Sequence, residues 1–338
     1  MTIREDRVKQ RRPKSAAMRY WLISALLALV FPGPAGGQTA DRVYRLGTLM
    51  LSAGSVQRVR TYVLPVLARQ GFVEGRDLVL EVRIGTVAEL PALAGELLAA
   101  KPDAILANGL TAIRAVRAHS NTMPIVGAFI DGDPVAAGIA ASLARPGGNV
   151  TGVVMLGPEL DAKRLELLHQ AVPTARRIAA LRVSPKRSEE SLAAVRGAAE
   201  ALGVELLPFY AEVPAVYPAA FAAMRSAAAQ GLAIIGAPEF FTNASTLAAL
   251  ALEAGLPTVC EWRKMAEQGC LLGYGPDIVE LNGRNADYVA RIFRGTSAGD
   301  LPIEQPTHFE FAVNLKTANA LGLAVPPTIL ARADDVIE

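Results

Sequence analysis

The chain has 338 residues, about half of them apolar and 20% charged, a composition that excludes an intrinsically disordered protein and is enough for one large domain or two ordinary ones. The formal net charge is +2, yet residues 1–37 hold seven basic and only two acidic side chains. Without them the balance is about −3, and no argument for nucleic-acid binding survives.

Arg4, Arg7, Lys9, Arg11, Arg12, Lys14 and Arg19 precede an apolar run over 20–31. That run is too short for a bilayer-spanning helix, which needs about 20 residues. The small residues Ala35, Gly36 and Gly37 follow, so residues 1–37 are expected to be a cleavable signal peptide, cut before Gln38 with Asp41 as the alternative, and the mature protein is expected in the periplasm. The Arg11-Arg12 pair raises the twin-arginine route, for which Pro13-Lys14 is a poor continuation. Cys260 and Cys270 lie in apolar, strand-like surroundings, which favours two buried thiols over a disulfide; with no His nearby they do not read as a metal site.

From residue 42 short apolar runs alternate with longer amphipathic ones. The predicted order is strand 43–50, helix 56–70, strand 78–84, helix 88–100, strand 103–108, helix 110–119 and strand 124–129. Residues 131–158, dense in Gly and Pro, break this rhythm and are read as a crossing. The second series runs helix 159–171, strand 177–183, helix 188–202, strand 204–210, helix 215–230, strand 232–237, helix 243–254 and strand 257–261. A short helix, strand 270–275, helix 277–294, strand 308–314 and helix 315–321 complete it. Serial strand-helix units predict an α/β protein of two doubly wound, Rossmann-like lobes, whose ligand sits outside the carboxyl ends of the strands.

The enzymatic fingerprints for dinucleotides, P-loops, zinc peptidases and serine hydrolases are missing from the sequence. His119, His169 and His308 have no consistent partners. Small or polar residues do recur where a strand gives way to a helix: Ser52 to Ser55, Asn108 to Thr111, and Ser184. Helix N-termini there would suit a carboxylate, although ordinary N-capping uses the same residues. Phe129, Phe240-Phe241, Trp262 and Tyr274 fall at strand ends or between lobes, where they would wall an apolar pocket or pack a hinge. With Asp131 and Glu239, this makes Ser52, Asn108, Thr111, Phe129, Asp131, Ser184, Glu239, Phe240, Trp262 and Tyr274 the candidate binding set. No cofactor, catalytic residue or metal is expected. Asp131, Glu239 or Glu261 could meet an ammonium group, or else only cap a helix or brace a hinge.

The segments PIVGAFIDGDPVAAGIAASLARPGGNVTGV (124–153), AKRLELLHQAVPTARRIAAL (162–181), GAPEFFTN (236–243), EWRKMAEQGCLLGYGPD (261–277) and LPIEQPTHFEFAVNLKTANALGLAVPPTILARADDVIE (301–338) resemble the substrate-binding proteins of an ABC-transporter family, some of whose members are linked to tryptophan and tyrosine uptake. The resemblance implies a periplasmic-binding fold of type I with three inter-lobe crossings near 150–158, 259–263 and 304–312. Lobe 1 would then be 42–150 with 262–304, and lobe 2 would be 158–259 with 312–338. It also implies capture of a small-molecule ligand and its delivery to a membrane permease, and the Gly- and Pro-rich 131–158 segment between two strand-helix series predicts a hinge-bending monomer. A ligand-sensing module and a periplasmic enzyme on the same lobes are the competing readings.

Overall fold

Strands buried on both faces need helices above and below them, and a chain that alternates the two elements winds into parallel sheets. The computed structural model describes residues 42–184 and 189–338. The first series is β1 (Tyr44–Met50), α1 (Ala53–Arg58), α2 (Leu64–Arg69), β2 (Leu78–Ile84), α3 (Leu90–Ala99), β3 (Ala104–Asn108), α4 (Gly109–Arg117), β4 (Ile125–Asp131) and β5 (Val150–Met155). The second is α5 (Gly157–Ala171), β6 (Arg177–Arg182), α6 (Glu189–Leu202), β7 (Glu205–Tyr210), α7 (Tyr217–Ser226), β8 (Gly231–Ile234), α8 (Pro238–Thr242), α9 (Ala244–Glu253), β9 (Thr258–Cys260), α10 (Arg263–Glu267) and β10 (Leu272–Pro276). The chain ends with α11 (Ile278–Phe293), β11 (Ile303–Glu304), β12 (Phe309–Asn314), α12 (Leu315–Ala320), α13 (Pro327–Leu330) and β13 (Asp335–Ile337). The expected leader, residues 1–37, lies outside the described residues.

The two expected sheets are present. One has the order β11-β5-β4-β3-β1-β2, all parallel; the other has β13-β12-β10-β9-β8-β6-β7, parallel except where β12 runs against β10. Each contains the doubly wound order second-first-third-fourth-fifth, which opens a crevice where the winding reverses: between β1 and β3 in one lobe, between β6 and β8 in the other. Both lobes belong to one compact unit, Val43–Glu338.

The chain crosses between sheets at Leu156, again between Pro276 and Ile278, and a third time over 305–308. The expected second crossing at 259–263 is therefore misplaced. Residues 262–276 remain with the second lobe because β10 pairs with β9 through Leu272 and Val259 and with β12 on its other side. Only then does α11 return to the first lobe, burying Tyr288, Val289 and Phe293 against Leu46, Val63 and Leu106. The Gly- and Pro-rich 131–158 segment also holds a strand not expected there: β5 lies between β4 and β11 in the first sheet.

Two local features depart from the expected pattern. Pro65 lacks the N–H that would bond the Thr61 carbonyl, so the expected single helix over 56–70 survives only by widening to a π-helical stretch, Val59–Val63, in which Leu64 N–H reaches the Val59 carbonyl. The second is a disulfide, which replaces the two thiols expected. The β9-α10-β10 crossover brings the chain back beside itself, so Cys260 and Cys270, both fully buried, have their Cα atoms 6.3 Å apart and are bonded.

Candidate functional site

The carboxyl ends of β1, β3 and β4 face those of β8 and β9, and between them lies a cavity of about 820 Å³. The winding crevice of the first sheet opens into it beside Leu51 and Asn108, and the second lobe contributes the ends of β8 and β9. Of the ten candidate residues, Asn108, Thr111, Phe129, Asp131 and Trp262 line it.

The other five are not among the lining residues. Ser52 caps α1, its Oγ accepting from Ser55 N–H at 3.2 Å. Ser184 follows β6 and Glu239 sits in the first turn of α8, both outside the cavity lining. Phe240 is fully buried in the second-lobe core beside Tyr217, at 6.2 Å between rings. Successive helical side chains point about 100° apart, so its neighbour Phe241 is the one that faces the cavity. Tyr274 stacks on Phe309 at 6.1 Å and offers only its carbonyl, which accepts from Arg164 Nε at 2.7 Å.

The helix N-terminus expected to hold an anion is already occupied. Asp131 Oδ1 accepts the Leu110 N–H of α4 at 2.7 Å, placing a carboxylate from the chain itself at the positive end of the helix dipole. A ligand anion must find its counter-charge elsewhere in the cavity.

That charge is on Arg58, at the end of α1. It is 8% exposed, and its guanidinium lies 5.3 Å from the ring centres of both Phe129 and Phe241, a cation held between two aromatic faces from opposite lobes. Trp262 closes the box edge-on, 5.9 Å from Phe129 and 6.4 Å from Phe241. Arg58 donates to Ser55 Oγ at 3.1 Å, and burial lowers its pKa while Glu261 opposes that shift. Phe129 is delivered by an irregularity: β4 and β5 shift register between Gly127 and Ile130, and Phe129 adopts φ +55°, a conformation costly for a bulky residue.

The floor of the cavity is ionic. Arg164 and Asp161, each 2% exposed, pair at 2.6 Å on the first turns of α5. Arg164 also donates to the Glu261 carbonyl at 3.3 Å. The Glu261 carboxylate lies over Gly236, where an added Cβ would come within 2.8 Å of Oε1. Burial pushes its pKa up, against the opposing pull of Arg164. Arg58, Arg114, Asp161, Arg164 and Phe241 were not in the expected set, and all five line the cavity. Among the described residues no group of His, Cys, Asp and Glu could hold a metal ion.

Residues 50–337 match the family model described as ABC transporter substrate binding protein. The chain belongs to that family. A tyrosine-binding protein of Clostridioides difficile (strain R20291) is 21% identical over 276 residues, covering 80% of this chain and 78% of the relative. Among solved structures, an ABC domain from Streptococcus pneumonia in complex with L-Trp superposes with a TM-score of 0.74 at 21% identity, covering 87% of this chain and all of that one. A conserved domain protein from Vibrio cholerae gives 0.75 at 22% identity, with the same coverage. The fold of this family member is thus that of the type I periplasmic binding proteins.

Proposed function

We propose that this family member is the exported binding component of an ABC importer, which closes its two lobes on an amino acid with an apolar or aromatic side chain and presents it to a permease. The observation that carries the reading is the cavity itself: it lies between the strand ends of both sheets, is walled by Phe129, Phe241 and Trp262, and contains charges of both signs. A volume of about 820 Å³ is within the range of about 300–1,000 Å³ usual for small-ligand sites. The tyrosine- and tryptophan-binding relatives point to the same ligand class. Hinge closure is favoured by three crossings that each join the lobes through a short segment.

A thermal-shift screen with aromatic and branched amino acids, aromatic acids, sugars and polyamines tests it. A specific ligand at a thousand times its Kd stabilises the folded state by about 4 kcal/mol, a rise in Tm of roughly 7 °C for a protein of this size. A shift with a sugar or polyamine and none with any carboxylate would overturn the ligand class. Export is tested by the N-terminus of the periplasmic protein, expected at Gln38; an intact Met1 there would sink it.

A further inference from the structure

We infer that Arg58 and Glu261, approaching the cavity from opposite lobes, are the two ends of a zwitterion clamp, Arg58 for the α-carboxylate and Glu261 for the α-ammonium of one ligand. The inference rests on the amino-acid reading above and deepens it.

The charges in the cavity can be sorted by what already satisfies them. Asp161 and Arg164 neutralise each other. Asp131 is taken by the α4 N–H, and Asp133 Oδ1 accepts from Val135 N–H at 2.7 Å. Arg114, like Thr111, lies on the exposed side of α4. Arg58 and Glu261 remain: both line the cavity, and neither forms a salt bridge among the described residues. A mostly buried guanidinium bonded only to a serine hydroxyl, and a carboxylate that accepts from the Trp262 side chain but pairs with no cation among the described residues, are costly unless something completes them. Arg58 stands on α1 of the first lobe and Glu261 follows β9 of the second, both line the cavity, and no hydrogen bond or ion pair joins them among the described residues, so a ligand with both charges can lie between them.

The aromatic box strengthens the arrangement. With Phe129 and Phe241 on its two faces, the guanidinium has lost water there, and its edge is the part left for a carboxylate, where paired N–H donors match the two oxygens. Because Arg58 belongs to the first lobe and Glu261 to the second, only a ligand bearing both charges ties the lobes together. A monopolar ligand leaves one buried charge uncompensated and should bind worse for that reason.

The test is calorimetric titration of the unmodified protein with L-tryptophan, tryptamine, indole-3-propionate and myo-inositol. Tryptophan is expected to bind about 10- to 100-fold more tightly than either monopolar analogue, the usual worth of a charge-assisted contact. In Arg58→Gln the advantage over tryptamine should collapse to within about threefold, while the advantage over indole-3-propionate persists; Glu261→Gln should do the reverse. These are ratios within one variant, so a general loss of affinity does not mimic them. Tryptamine or indole-3-propionate binding the unmodified protein as tightly as tryptophan overturns the inference without any variant. Unchanged discrimination in both variants overturns the clamp but leaves the amino-acid reading intact. Capture of inositol alone overturns both.

Discussion

Substituting Gly54 with Ala should weaken ligand binding by about 10- to 100-fold while leaving the melting temperature of the free protein nearly unchanged. Gly54 stands in the first turn of α1, where an added Cβ would come within 2.0 Å of Thr242 Oγ1 and 3.1 Å of its Cβ, at the end of α8 in the other lobe. Real carbon atoms do not approach oxygen so closely. The exposed Thr242 side chain is held by its own bond to the Pro238 carbonyl at 3.0 Å, so the cheaper response is for the lobes to part. Forcing an extra methyl into a packed contact costs about 1–3 kcal/mol, and it would fall only on the state in which α1 touches α8. Parting the lobes also withdraws Phe241 from Arg58. The double variant Gly54→Ala, Thr242→Ala should recover most of the affinity, because the oxygen and methyl that clash are gone. Small-angle scattering at saturating ligand should show a larger radius of gyration for the single variant than for the unmodified protein. Equal affinity in the Gly54→Ala single variant would show that closure does not depend on this contact.

Much of the fold was legible because parallel sheets write themselves as repeated apolar runs. β1 and β3 are buried almost throughout, and such strands need no alternation to be recognised. What failed was long-range pairing. Residues 262–276 look the same in sequence whichever sheet they join; only the pairing of Leu272 with Val259 and of Gly273 with Ala312 decides it. The disulfide was hidden for the same reason. Ten residues between two Cys say nothing of distance until the crossover that returns Cys270 to Cys260 is known. β5 was masked by glycines that serve the sheet: at Gly152 an added Cβ would sit 2.1 Å from the Gly127 carbonyl oxygen, so a strand this close to its neighbour must read as a loop.

The site was half legible. Strand-end positions such as Asn108, Phe129 and Trp262 could be found because winding topology fixes where ligands sit. Residues within helices could not, since choosing between Phe240 and Phe241 requires the rotation of a five-residue helix. Arg58 was the hardest to foresee. In sequence it is one more basic residue on an amphipathic helix, and only the docking of α1 against the second lobe encloses it between two rings. Asp131 was named either as a partner for an ammonium group or as a cap, and its bond to Leu110 N–H gives it the capping role on α4.

Removing Asp161 should be the most damaging single change to stability, costing about 3–5 kcal/mol, or a fall in Tm of roughly 5–8 °C. Its pair with Arg164 is the most buried of the ion pairs described, at 2% exposure on each side. Arg164 is also the bolt between α5 and the ends of β9 and β10, through the carbonyls of Glu261 and Tyr274. In Asp161→Ala the guanidinium stays buried with two carbonyls, loses its paired carboxylate and keeps only the electrostatic pull of Glu261, and most of the penalty is that under-compensated charge, not the lost attraction. The double variant Asp161→Ala, Arg164→Met should therefore be more stable than Asp161→Ala alone, although it has lost both partners. It would still bind ligand less well than the unmodified protein, because the carbonyls that Arg164 draws together belong to the segment carrying Glu261 and Trp262. Chemical denaturation of the three proteins decides the matter. If Asp161→Ala costs less than about 1 kcal/mol, the two carbonyls alone satisfy Arg164 and the pair contributes geometry without stability. If the double variant proves less stable than the single, Arg164 acts mainly through its carbonyl bonds and the stranded-charge explanation is wrong.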